Sequence, residues 1–196
     1  ETAEWNQLCK DLRQIGCEVK RTLQFETGIV TTVGEWDDYF SKRSRSFRKK
    51  LKNRLTKLEG QGCVKFVRHA KFKTSQEVIA CLDLALAIEH KSWKGERQTS
   101  LNSRPPIKTV FVAMMQEFAR LGLLEIQFLQ LDGKILAFEI GFRSHGTYYS
   151  CKIGFDAAFS KFSPGQLLTY FQLRNWFAGN EIDRVDTIGE LSQATG

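Results

Sequence analysis

Thr147-Tyr-Tyr-Ser-Cys-Lys-Ile-Gly-Phe155, Asp156-Ala-Ala-Phe-Ser-Lys-Phe-Ser163, Pro164-Gly-Gln-Leu-Leu-Thr-Tyr-Phe-Gln-Leu-Arg-Asn-Trp-Phe-Ala-Gly179 and Ile182-Asp-Arg-Val-Asp-Thr187 lie in order near the end of a 196-residue chain. They read as a strand, a loop, a helix and a strand. Ser163 suits a helix N-cap, Pro164 the first helical position, and Gly165 presents no side chain to a ligand. A helix N-terminus carries unpaired N–H groups and partial positive charge, so it can receive a phosphate. Lys161 adds a cation within the loop. Ser-Pro-Gly also opens many helices that bind nothing, so the order of the surrounding elements has to decide.

Working backwards, Leu123–Leu131 and Lys134–Arg143 are strand runs joined by Asp132-Gly133, a strong hairpin signal. Ser144-His145-Gly146 turns the chain into Thr147. Pro105-Pro106 opens a helix whose apolar face carries Val110, Phe111, Met114, Phe118 and Leu121. The polar segment Lys94–Arg104 reads as a loop. Thr74-Ser-Gln-Glu77 is a capping box that starts a helix reaching about Trp93. Cys63–Arg68 alternates apolar and basic residues as a strand does. Ser41–Glu59 is a basic helix with Phe47, Leu51, Leu55 and Leu58 on one face and nine cations between Lys42 and Lys57. Before it come a short helix (Trp5 to Ile15), a strand-like run from Cys17 to Phe25, and a second run from Ile29 to Val33. The class is α+β (α/β): a mixed, mainly antiparallel sheet with helices on its faces.

Net charge is +7 and the pI about 9.2, which favours anionic partners without choosing among phosphates, nucleic acid and acidic polymers. Five cysteines without a CxxC pair argue against a zinc ribbon or a thioredoxin-like site. They read as free, mostly buried thiols in a reducing, cytoplasmic compartment. No run of 18 apolar residues is present, so the sequence predicts no membrane span.

Several motifs together resemble one family. Ser46-Phe-Arg-Lys-Lys-Leu-Lys-Asn-Arg-Leu55 with Leu58-Glu59 is similar to its basic leading helix, and Ser92-Trp93-Lys94-Gly95 to its helix-ending motif. Leu129-Gln-Leu-Asp-Gly-Lys-Ile-Leu-Ala137 is similar to its hairpin. Tyr148-Tyr149, Gly154-Phe155-Asp156 and Phe162-Ser163-Pro164-Gly165-x-Leu167-Leu168 are similar to its strand–loop–helix junction. From Ser41 to Asp186 the chain thus resembles the GNAT superfamily of N-acetyltransferases. Its nearest resemblance there is to the CelD-like branch associated with cellulose and exopolysaccharide production, which is related to the FemAB peptidyltransferases. The chain departs from the superfamily's pyrophosphate loop, Q/R-x-x-G-x-G/A, in having a single glycine and a proline.

The resemblance implies a GNAT-like fold and transfer of an acyl group from acetyl-CoA or another acyl-CoA to an amine or hydroxyl, without a metal. It implies that the backbone of Lys152, Ile153, Gly154 and Phe155 pairs with the pantetheine arm. The loop and helix start (Lys161, Ser163, Gly165, Gln166, Leu167) then receive the pyrophosphate, with N–H groups from Gly165 to Leu167 facing it. It also implies that residues 1–40 are a leading segment that could end a preceding domain. Residues 41–196 would be an acyltransferase domain lacking its C-terminal part.

An attacking amine must lose a proton. Glu139 is the candidate base if its strand is buried; the ordinary reading of a Glu on an alternating strand is that it faces solvent. Tyr149 and Tyr170 are candidate acids toward the leaving thiolate, with Tyr148 an alternative, since by alternation one of the adjacent pair faces the core. His90, His145 and Cys151 have ordinary structural explanations. Three further readings stand: a non-catalytic basic module for nucleic acid or an acidic polymer, a FemAB-type transferase using aminoacyl-tRNA, and a domain kept only for assembly.

Overall fold

The computed structural model describes residues 3–20, 27–179 and 181–190. Two compact units are formed, 1–26 with 190–196 and 27–189. In the first, helix α1 (Ala3–Gln14) matches the predicted leading helix. Residues 17–20 of the predicted strand are irregular, and 21–26 lie outside the described residues.

The second unit contains β1 (Thr27–Thr31), α2 (Trp36–Ser41), α3 (Arg45–Glu59), β2 (Val64–His69), α4 (Ser75–His90), the short α5 (Trp93–Glu96) and α6 (Pro105–Arg120). Then come β3 (Leu124–Leu131), β4 (Lys134–Ser144), β5 (Thr147–Phe155), α7 (Pro164–Gly179) and, as far as Gly189, β6 (Arg184–Glu190). The strands form one sheet in the order β1-β6-β5-β4-β3-β2. From β2 to β5 the neighbours are antiparallel, and β6 returns parallel to β5 after the α7 crossover. This is the mixed, mainly antiparallel sheet that the sequence predicts. The boundary drawn at residue 40 falls inside the unit, which begins at Thr27.

Turn chemistry fixes the meander. Asp132 and Gly133 (φ 48° and 81°) join β3 to β4, and His145 and Gly146 (φ 48° and 71°) join β4 to β5. Two successive left-handed residues match the twist of a hairpin. At α4, Thr74 Oγ1 accepts from Glu77 N at 3.2 Å. Glu77 returns the bond to Lys73 N at 2.8 Å, one residue earlier than in the usual box.

Both faces of the sheet are covered. On one, Ile126, Phe128, Phe138 and Ile140 pack under α4 and α6 through Val78, Leu82 and Met115. On the other, Leu129, Leu136 and Ala137 meet Leu51 and Leu58 of α3 and Leu167 and Leu168 of α7. Because of this double cover, β3 and β4 are buried along consecutive residues rather than alternate ones.

Four local expectations are corrected. The basic helix starts at Arg45, capped by Ser44 Oγ accepting from Phe47 N, and a separate helix, α2, precedes it. The 94–104 loop contains α5 and a 3-10 turn at Leu101–Ser103. On α6 the predicted face was set about one residue off: Val110, Met114 and Leu121 are exposed, whereas Met115 is fully buried. The run Val110–Met115 is apolar almost throughout, so periodicity cannot phase it. The cysteines are less buried than expected: Cys17, Cys63 and Cys151 are exposed and Cys81 is half-buried. A small thiol pairs easily with a strand end or an edge, and burial does not follow from residue type alone.

Candidate functional site

The α7 crossover leaves a gap beside β5. Among the described residues β6 pairs with β5 at Thr147–Tyr149 alone, so the β5 edge from Ser150 to Phe155 has no partner from β6 there. The N-terminus of α7 approaches that edge. Between them lies a 390 Å³ cleft lined by Ile153, Gly154 and Phe155 from β5 and by Ser163, Gly165 and Gln166 from the loop and helix. Most of the residues predicted from the strand–loop–helix junction therefore share one cavity, and Glu139 lines it as well.

Two glycines shape the cleft. A Cβ on Gly154 would come within 2.5 Å of Phe138 Cε1, so only glycine lets Phe138 seat under this edge. A Cβ on Gly165 would meet only Phe155 Cδ1, at 3.8 Å, and otherwise stand in open space. Ser163 is left-handed (φ 51°, ψ 58°) and its carbonyl accepts from Leu167 N at 3.2 Å. This corrects the expectation for Leu167: its N–H is spent inside the helix, and the N–H groups of Gly165 and Gln166 are the ones left at the helix start. Lys161 is exposed, its ammonium 4.9 Å from the Phe162 ring centroid. The Lys152 side chain leaves the cleft altogether and pairs with Glu89 Oε1 of α4 at 2.7 Å, so only its backbone can serve a ligand.

The three candidate proton-transfer residues are not brought together. Glu139 is buried, 7% exposed, because α7 roofs the face that alternation alone would leave to solvent. Burial raises its pKa; Gln172, Ser150 and Tyr148 beside it favour the carboxylate and work against that rise. Tyr149 lies on the opposite sheet face, stacked on Phe142 at 5.0 Å. Tyr170 packs against Trp36 and Phe40 of α2 at 5.5 and 5.7 Å. The tyrosine that shares Glu139's surroundings is Tyr148, fully buried against Trp176 at 4.5 Å. Burial beside Glu139 and Glu125 raises its pKa well above the ordinary value, so it stays a proton donor.

A polar system extends from Glu139 across the sheet and gave little sign in the sequence. Arg68 of β2 makes two hydrogen bonds to Glu125 of β3, and Arg143 of β4 approaches the same carboxylate at 3.3 Å. Both arginines reach Glu181, at 2.8 and 3.2 Å, and Gln127 donates to Glu125. Tyr148 and Gln172 lean on the Glu139 carboxyl, and among the described residues buried Gln127 Oε1 and Trp176 Nε1 have no partner in hydrogen-bond geometry. Alternation identifies Glu125, Gln127 and Glu139 as one stripe, but nothing in the sequence says that stripe is roofed.

Arg54 was also unmarked among the cations of α3; its Nη1 donates to Gln166 Oε1 at 2.6 Å and brings positive charge to the helix start. His145 is an exposed turn residue bonded to Ser144, and His90, at the end of α4, bonds to Ser100. Among the described residues no group of His, Cys, Asp and Glu is placed to hold a metal, and no helix is long and apolar enough to cross a membrane.

Residues 45–192 match the family model described as Acetyltransferase (GNAT) domain. Comparison with curated protein sequences gives no match. Among solved structures, the chain is similar to FemX (TM-score 0.59, 10% identity, covering 96% of this chain and 61% of that one). It is similar to a conserved protein of unknown function from Bacteroides thetaiotaomicron (0.56, 15% identity, 92% and 57%). A third likeness is to L-PGS from Bacillus licheniformis (0.51, 15% identity, 88% and 47%). At these identities the likeness is one of fold, and the chain spans about half to three fifths of the length of each.

Proposed function

Since the chain belongs to the GNAT acetyltransferase domain family, we propose that it transfers an acyl group from acetyl-CoA or another acyl-CoA to an amine or hydroxyl acceptor. The observation that supports the donor assignment is that the β5 edge at Ser150–Phe155, left unpaired by β6 among the described residues, lines one cleft with Gly165 and Gln166 in the first turn of α7. Backbone groups of an unpaired strand can take up the amide arm of pantetheine as a further strand would. The helix start and Arg54 supply positive potential for the pyrophosphate.

In this reading the acceptor nitrogen attacks the thioester carbonyl, a C–N bond forms and the C–S bond breaks. Glu139, at the sheet side of the same cleft, takes the proton from the attacking amine. Its raised pKa improves it as a base near neutrality. Tyr148, in place of Tyr149, is the tyrosine beside this carboxyl and the proposed proton donor to the leaving thiolate. CelD-like polysaccharide or cell-envelope biosynthesis is the proposed setting, and the cytoplasm the proposed compartment.

A second reading, an aminoacyl-tRNA donor as in FemAB-type enzymes, draws on the exposed Arg45, Lys49 and Lys52 of α3, which an RNA backbone would neutralise. Calorimetric titration with acetyl-CoA, longer acyl-CoAs and free CoA separates the two. Micromolar binding of a CoA ester is expected. Binding to aminoacyl-tRNA with none to any CoA species would replace the first reading with the second.

A further inference from the structure

Beside the donor cleft, on the outer side of α7, lies a 540 Å³ groove between α2, the start of α3 and α7. Its walls are aromatic: Trp36, Tyr39 and Phe40 from α2, Phe47 from α3 and Tyr170 from α7. The apolar stripe of α3 explains why the groove is open. Leu51 and Leu58 are buried in the core, but Phe47, one turn earlier, runs past the covered surface and is 41% exposed. Among the described residues Arg43 is the one charged residue lining the groove, and no carboxylate lines it. Its guanidinium lies 4.7 Å from the Tyr39 ring centroid. Gln166 and Thr169 line both this groove and the donor cleft, so the two are separated only by one ridge of α7.

We propose that this groove binds a single amphiphilic anion, an alkyl chain lying along the aromatic wall with a phosphate or carboxylate head at Arg43. The role follows from position: a molecule of this kind that also carries an amine or hydroxyl would lie across the Gln166–Thr169 ridge from the donor cleft, as an acyl acceptor must. That role rests on the transferase reading; the binding does not. An apolar wall takes up an aliphatic chain through burial of its surface. A lone cation without a competing carboxylate selects the sign of the head group.

Dodecyl phosphate, kept below its micellar concentration, is titrated into the whole protein by calorimetry, with dodecyltrimethylammonium and butyl phosphate as controls. Saturable binding of one dodecyl phosphate is expected, at least tenfold tighter than either control. Phe47→Asp and Arg43→Glu should each weaken it at least tenfold, while Lys49→Glu on the outer face of α3 should change it less than twofold. Phe47 and Arg43 are both exposed, so neither change opens the core. Equal binding of the cationic amphiphile, an equal loss in Lys49→Glu, or binding to anionic vesicles without binding of the monomer would each overturn the proposal. CoA titration of the same variants keeps the two readings apart. Loss of dodecyl phosphate binding with CoA binding intact fails the groove alone.

Discussion

Arg68 holds Glu125 by two parallel hydrogen bonds, Nε to Oε1 at 2.8 Å and Nη2 to Oε2 at 2.9 Å, and the glutamate is fully buried. The pairing spans neighbouring strands β2 and β3, two residues that register places diagonally next to one another. A buried carboxylate deprived of its partner keeps its desolvation penalty. Arg68→Met should therefore cost about 3 kcal/mol of stability, tempered by the Arg143 contact that remains. Arg68→Met with Glu125→Met together should recover part of the loss, giving a coupling of about 1–3 kcal/mol in urea unfolding. Additive losses would show that the pair contributes no mutual stabilisation.

Glu139 makes the prediction that is specific to pH. Burial raises its folded-state pKa. Between the unfolded and the folded pKa, the folded chain holds a proton that the unfolded chain has released. Stability contributed by this group is thus present at low pH and lost as pH rises through that window. Glu139→Gln removes the loss. The variant should gain stability over the parent as pH rises above the ordinary carboxylate range, by about 1.4 kcal/mol per pKa unit of the shift, and the gain should then level off. If Glu139 is the base, kcat also falls about 10²–10⁴-fold, while the affinity for a CoA ester measured by titration changes little. A stability difference that does not vary with pH would remove the raised pKa from the account.

Much of this fold was legible because local chemistry and long-range order agreed. Asp132-Gly133 and His145-Gly146 both adopt the left-handed turns that the hairpins need. Ser163-Pro164-Gly165 does start a helix, at the edge where the loop was expected to lie. What could not be read is which faces meet. Alternation in β4 leaves Glu139 equally free to face solvent or a helix, and only the α7 crossover decides it. The same lack of long-range information hid the side on which Tyr148 rather than Tyr149 lies. It also hid which cation of α3, Arg54, would reach Gln166. Helix α2 was too short, at six residues, to show a period.

Glu89 ties the α4 end to the following segment. It is buried, accepts from Leu101 N at 3.1 Å, and pairs with Lys152 of β5 at 2.7 Å. Glu89→Ala leaves a buried backbone donor without an acceptor and a mostly covered ammonium without a counter-charge. A loss of about 3 kcal/mol is expected in urea unfolding. Amide exchange should accelerate at Leu101 well beyond its neighbours in α4. Unchanged protection at Leu101 would show that this hydrogen bond does not hold the segment.

Gly165 separates the fold from the ligand site. It stands in the first turn of α7, its φ is not in the left-handed region, and an added Cβ would make only the 3.8 Å contact with Phe155. Alanine therefore fits the backbone, and by helix propensity it should stabilise the protein by about 0.5–1 kcal/mol. The same methyl is added to the lining of the cleft, where in the proposed reading a pyrophosphate has to approach closely. Gly165→Ala should thus raise Tm by a few degrees while weakening CoA binding at least tenfold, with Gly165→Val weakening it further. A plain capping role for Ser163-Pro164-Gly165 gives the first effect without the second. Undiminished CoA affinity in a stabilised Gly165→Ala protein would therefore move the pyrophosphate away from this helix start.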